Sequence, residues 1–336
     1  MTEILIPLLG GLALLVLGGD LLVRGAVRVA ERLGVSPLVI GLTLVGFGTS
    51  MPELVTSVRA ALAGSPGIAY GNIVGSNIAN ILLIVGASAL LFPIAVAASA
   101  LKRDAVVMLA VAAGFAAISL VMPMGRALGA VFVGALAVYV FMAFRQEKSG
   151  ASGALQAKEA ALEAVDPGLK PGPKPDPKPD LKPDLPGVNG IMAPLAMSIA
   201  GLICVLAGGA FLVDGAVALA QSLAIPETVI GLTVVAIGTS MPELVTSVAA
   251  ALRRQGDVAF GNIVGSNICN ILGIGGVTAL IAPSDVPAQI VTFDNLLMVA
   301  VSVLLLFFAA TGLRIARWEG GVLLAGYAGY LAVVWP

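Results

Sequence analysis

No histidine occurs anywhere in this chain, so the commonest ligand of zinc and copper and the commonest proton shuttle are both missing. Cysteine occurs only twice, at Cys204 and Cys269. Each sits inside an apolar run, where a thiol packs as a small hydrophobe instead of forming a disulfide or a metal pair. Charge is scarce as well: 11% of residues, against about a quarter in a soluble domain. No basic face accumulates beyond a few loop residues, which excludes nucleic acid as a partner. There is no nucleophile–base pair, phosphate loop or cofactor motif, so the chain does not read as an enzyme and needs no cofactor. The opening MTEILIPLLGG lacks a basic leader and a cleavage site, and reads as a first membrane span, not a removed signal peptide.

What is abundant is apolar length, with 59% of the 336 residues hydrophobic. A span needs roughly 20 apolar residues, and about ten candidates are present. They fall at 4–30, 36–63, 67–92, 104–123, 126–145, 191–221, 226–252, 257–282, 292–311 and 315–335. Runs such as VSVLLLFFAATG show no polar face at helical spacing, which excludes a soluble helical bundle. The expected fold is an all-α integral membrane protein, held in the lipid bilayer by about ten transmembrane helices. Residues 146–190 break the pattern with Lys, Asp and Pro in close alternation. Their first part fits a short helical turn and their second part an extended, solvated tether.

This linker divides a duplication into 1–145 and 191–336. Residues 41–86 and 231–276 align without a gap, with roughly 70% of positions identical. Five spans per half is an odd number, so the halves must enter the membrane from opposite sides as inverted-topology five-helix repeats. Charge tests this independently. Arg24, Arg28, Arg32, Lys102, Arg103, Arg145, Lys148, Arg253, Arg254, Arg314 and Arg317 fall in or beside alternate loops, while the other loops offer only Arg59 and Arg126. The positive-inside rule then places the linker in the cytoplasm and both termini outside a cell membrane, the inner one in a Gram-negative cell.

Two signatures repeat in both halves. GTSMPE spans Gly48–Glu53 and again Gly238–Glu243. Pro52 and Pro242 lack an N–H and collide with the preceding turn, so the central helices should break there and free main-chain oxygens. Ser50 and Ser240, three residues before each Glu, also fit a capping box that would need no ligand. Burial argues past that reading. An ionised carboxylate near mid-membrane costs about 2.5–3.5 kcal/mol on insertion scales, and the sequence carries two at equivalent inverted positions. Two such charges meeting in a dry site demand a cation or a proton. In the second signature, GNIVGSN, Asn72, Ser76 and Asn80 lie at i, i+4 and i+8 on one helix face. Asn262, Ser266 and Asn270 repeat the stripe, which would alternatively glue membrane helices together. Only oxygen donors gather here, which suits hard cations such as Ca²⁺ and Na⁺.

On these residues the chain resembles the calcium/cation antiporter superfamily, specifically its prokaryotic sodium/calcium exchangers. The resemblance rests on GTSMPE with GNIVGSNIAN in one half and GTSMPE with GNIVGSNICN in the other. It implies ten helices in inverted five-helix repeats, with Ca²⁺ and Na⁺ as transported ions; the sequence itself makes no protein partner evident. It also implies that Glu53 and Glu243 are the central calcium ligands, joined by Thr49, Ser50, Thr239 and Ser240. Ser76, Asn80, Ser266 and Asn270 would flank them, with the carbonyls of Gly46 and Ala236 in outer sodium sites. Family members often carry Asp where this chain has Asn270. The expected activity is electrogenic, K⁺-independent export of Ca²⁺ in exchange for Na⁺. The rivals are a Ca²⁺/H⁺ antiporter, a K⁺-dependent exchanger, a cation channel and a membrane scaffold.

Overall fold

Apolar length decides most of the architecture. The computed structural model describes residues 2–32, 50–143, 145, 188–252 and 256–335. In the first half these form α1 (Thr2–Arg32), α2 (Met51–Leu62), α3 (Pro66–Leu91), α4 (Leu101–Val121) and α5 (Arg126–Ala143). In the second they form α6 (Val188–Leu223), α7 (Glu227–Thr239) and α8 (Met241–Leu252), then α9, which runs from Gly256–Ile268 through to Ile281. The chain closes with α10 (Ile290–Ala310) and α11 (Arg317–Val334). Among the described residues seven helices are long and apolar enough to cross a membrane, and the bent pair α7–α8 makes eight. The half-span α2 and the terminal α11 stand at the remaining two expected places. The result is an all-α, multi-pass membrane fold of two inverted five-helix repeats. Residues 146–187 of the linker and the expected start of the second span lie outside the described residues. Residues 188–190, expected as linker, begin α6 instead, because their apolar continuation lets the helix extend backward.

The inversion is visible in backbone pairing. Strand β1 (Ile94–Ala95) pairs antiparallel with β2 (Arg314–Ile315), and Met124 forms an isolated bridge with Ser284. Ser284 is the duplicate of Ile94, and Met124 falls on Ile315 when Arg126 is set on Arg317, so the Ile94–Ile315 contact is made twice with the halves exchanged. Arg317 Nη2 likewise donates to the carbonyl of Leu91 at 3.1 Å, and Arg126 Nε to that of Leu280 at 3.2 Å. Wider π-helical turns also recur in register, at Asn80–Val85 with Cys269–Gly275 and at Leu101–Ala105 with Ile290–Asp294. Such bulges redirect side chains within a helix and cluster at functional sites.

Burial separates the centre from the periphery. The apolar windows of α3 and α9 are 83% and 78% buried, against at most 39% for the other spans that cross singly. These are the two helices that carry GNIVGSN. The outer helices present Leu120, Phe141, Phe307 and Val333 outward, as a lipid-facing surface requires. Small residues permit the close central packing. A Cβ on Gly71 would lie 2.9 Å from the Cα of Gly231, so α3 and α7 meet backbone to backbone. At the periphery α1 and α6 pack along Gly11, Gly18 and Gly25 facing Gly201, Gly208 and Gly215. The seven-residue spacing keeps each stripe on one face over two turns, the geometry of a shallow left-handed crossing. Both cysteines are free thiols.

Candidate cation site

The expected proline break is seen in the second half, while the residues before Ser50 lie outside the described residues. Pro52 and Pro242 occupy the first turns of α2 and α8, where a missing N–H is harmless. The polypeptide bends by 48° between α7 and α8, with Ser240 at the break. Glu53 and Glu243 therefore stand in the first turns of fresh half-helices, whose amino-terminal dipoles favour a carboxylate.

The capping box is not formed at Ser50. That residue stands at the N-cap of α2 without a side-chain cap bond. Its hydroxyl crosses to the other half and donates to Glu243 Oε1 at 3.3 Å. Ser240 does the converse, donating to Glu53 Oε1 at 3.0 Å. Two local capping pairs have become one cross-tied cluster, because each hydroxyl gains more from a buried carboxylate than from an amide of its own turn. Ser50, Glu53, Ser240 and Glu243 are each no more than 2% exposed. Neither signature contains Lys or Arg.

Neutral oxygens surround the pair. Asn72 is a hub: its amide donates to the Glu53 carbonyl at 3.2 Å and to Ser57 Oγ at 2.9 Å. Its Oδ1 accepts from Thr239 at 2.9 Å and from Ser76 at 3.5 Å. Asn262 repeats part of this, donating to Thr246 and Ser247. The side-chain oxygens Glu53 Oε2, Asn80 Oδ1 and Asn270 Oδ1 are buried without a hydrogen-bond partner. Ser266 is buried on α9. The carbonyl of Ala236 already accepts the N–H of Ser240 at 3.1 Å and the Thr239 hydroxyl at 3.4 Å. Thr49 and Gly46 lie outside the described residues. Sequence reasoning passed over Ser57, Asn267 and Met108 as site neighbours, although Ser247, Asn77 and Met298 duplicate them.

Among the described residues no three His, Cys, Asp or Glu side chains come together. The donor set is two carboxylates bonded by the Ser50 and Ser240 hydroxyls, with the Asn72 amide on the Glu53 main chain. A hard cation fits such a set, and calcium takes roughly six to eight oxygens of this kind at flexible geometry. An inverted-repeat membrane fold that brings a carboxylate from each half together has the make-up of an ion transporter.

Comparison with known proteins gives the family. The sodium/calcium exchanger protein family model matches residues 4–145 and 193–335. The chain is 41% identical to the sodium/calcium exchanger MaX1 of Methanosarcina acetivorans over 97% of both chains. It is 34% identical to the inner membrane protein YrbG of Escherichia coli, over 95% of this chain and 92% of that one. Solved structures of the sodium–calcium exchanger NCX_Mj superpose with a TM-score of 0.62 at 33% identity, covering 98% of each chain. The chain belongs to the sodium/calcium exchanger family.

Proposed function

We propose that this protein exports Ca²⁺ in exchange for Na⁺ by alternating access, electrogenically and without K⁺. The observation that carries the reading is the cross-tied pair Ser240–Glu53 and Ser50–Glu243, which joins two buried carboxylates from opposite repeats. When both are ionised the pair carries −2, and one Ca²⁺ neutralises it. Three Na⁺, the stoichiometry suggested by the family, would leave +1, so each cycle moves net charge. Moving one charge through the full potential is worth about 2.3 kcal/mol per 100 mV, an appreciable drive for expulsion. Asn270 in place of an acid leaves no electrostatic need for a potassium co-ion.

In this reading Glu53 and Glu243 hold calcium with Thr49, Ser50, Thr239 and Ser240, flanked by Ser76, Asn80, Ser266 and Asn270. Gly46 and Ala236 lend carbonyls to sodium. For Ala236 that requires Thr239 to turn toward its other acceptors, Asn72 Oδ1 at 2.9 Å and the Val235 carbonyl at 3.0 Å. The basic loops and the linker face the cytoplasm, and both termini face outward.

The test is ⁴⁵Ca²⁺ uptake into proteoliposomes with Na⁺, K⁺ and H⁺ gradients imposed one at a time. Sodium-driven, voltage-sensitive flux that ignores K⁺ supports the assignment. Strict K⁺ dependence, or flux driven by a pH gradient without sodium, overturns it in favour of a K⁺-dependent or Ca²⁺/H⁺ antiporter.

A further inference from the structure

An amide can present either an oxygen or an NH₂ to a cation, and only the oxygen binds. Asn80 is 1% exposed, its Nδ2 donates to Asn267 Oδ1 at 2.9 Å, and its own Oδ1 has no partner. The choice of face is therefore made at Asn267. That residue lies on α9, in the opposite half, and is itself 1% exposed. Its Nδ2 faces Met108 Sδ at 3.5 Å, on α4. A thioether can accept a hydrogen bond but not donate one, so the NH₂ of Asn267 belongs on that side. Its oxygen must then face Asn80, which must offer its NH₂ in return. The free end of Asn80 is left as an oxygen.

We propose that Asn267 is a positioning residue that, with Met108 behind it, holds the Asn80 amide with its oxygen toward the transported cation. Neither residue touches the ion. The chain of polarity runs from a sulfur on α4, through an amide on α9, to an oxygen on α3. The duplicated residues Met298, Asn77 and Asn270 occupy the equivalent places. There Asn77 commits its NH₂ to the Ile73 carbonyl at 2.7 Å, and Asn270 Oδ1 is again a buried oxygen without a partner. Both halves therefore hold a buried, unpartnered amide oxygen at this position, and the bond to a neighbouring asparagine that orients it is seen for Asn80 alone. This inference rests on the reading of Asn80 as a cation ligand.

The experiment uses the full-length protein, with calcium binding measured by isothermal titration in detergent and exchange measured as ⁴⁵Ca²⁺ uptake. Asn267→Leu removes the acceptor and lets the Asn80 amide turn. Losing one buried hydrogen bond of this kind predicts a calcium KM raised about tenfold, with the maximal rate kept within about twofold. Met108→Leu keeps the volume and removes only the sulfur, with an expected rise of about threefold. In an Asn80→Ala background neither change should have any further effect, a coupling that a merely structural role would not show. Wild-type calcium affinity in Asn267→Leu, or the same loss of affinity with and without Asn80, overturns the proposal. If Asn267→Leu does not fold, Met108→Leu decides on the same criterion: unchanged affinity overturns. Wild-type affinity in Asn80→Ala is a different failure, since it removes the ligand reading on which the inference stands.

Discussion

Replacing Ser240 by Ala tests the cross-tie between the halves directly. The Ser240 hydroxyl donates to Glu53 Oε1 at 3.0 Å, inside the usual range for an O–H donor, while the Ser50 bond to Glu243 is longer at 3.3 Å. A buried hydrogen bond to a charged group contributes about 1.5–3 kcal/mol, and each 1.4 kcal/mol is a factor of ten in affinity. Ser240→Ala should therefore weaken calcium binding by about tenfold or more. Ser50→Ala should cost less, about threefold, because its bond is already stretched. Equilibrium binding in detergent measures the affinities, and sodium-driven ⁴⁵Ca²⁺ uptake shows whether turnover follows. A double-mutant cycle with Glu53→Gln isolates the pair, and the Ser240 effect should shrink to less than about threefold once the carboxylate is gone. Equal effects of Ser240→Ala with and without Glu53 would refute the cross-tie, and so would a larger loss in Ser50→Ala than in Ser240→Ala.

Three further outcomes follow from the same geometry. Glu53→Gln or Glu243→Gln keeps shape but halves the charge available to replace calcium's hydration shell, so either should nearly abolish calcium flux while the protein still inserts and purifies; wild-type exchange in both would place the site elsewhere. A Cβ on Gly208 would lie 2.8 Å from the Gly11 carbonyl and the Leu15 amide. Gly208→Val should thus destabilise the protein by about 1–3 kcal/mol, read as a lower melting temperature in detergent, whereas Gly10→Ala should leave it unchanged. Single cysteines at Lys102 and Arg317, in a chain lacking Cys204 and Cys269, should be protected from impermeant reagents applied outside, and labelling of both would reverse the orientation.

Much of the fold was legible because membrane helices advertise themselves by length, and because the duplication fixes parity without any contact being known. The inverted pairing of Met124 with Ser284 and of β1 with β2 could not be read from composition, since loop backbones pair with little regard for side-chain type. The two carboxylates were legible for an energetic reason: a buried charge that appears twice needs a purpose. The serines were read as joining the carboxylates, with local capping as the alternative, but the crossing of each hydroxyl to the other half's carboxylate was not foreseen. Spacing of Ser and Glu within one signature cannot say whether a hydroxyl serves its own helix or a symmetry-related one, and burial settled it for the second. Asn267 and Met108 were missed because their role is relational. An Asn one position after a site serine reads as packing until its partner's free oxygen is seen, and a methionine in an apolar span carries no polar signal at all.

The exchanged contacts between the halves have a consequence for what each half can be by itself. Ser50 meets Glu243 as Ser240 meets Glu53, and β1 meets β2 as Ser284 meets Met124. A surface in which residue i touches j′ while j touches i′ is isologous, the kind that closes a two-fold homodimer. Each half therefore offers its neighbour the same self-complementary patch. Half of every carboxylate–hydroxyl tie is absent from a five-helix fragment alone. By this reasoning such a fragment should behave as a protomer, with a stability that depends on its concentration. Covalent fusion replaces that dependence with an effective concentration set by the length and stiffness of the linker. It also guarantees that one upward and one downward copy are made in equal number. Freed from identity by that guarantee, the two copies have already begun to differ, as Arg103 beside Asp104 and the uncharged Phe293 beside Asp294 record.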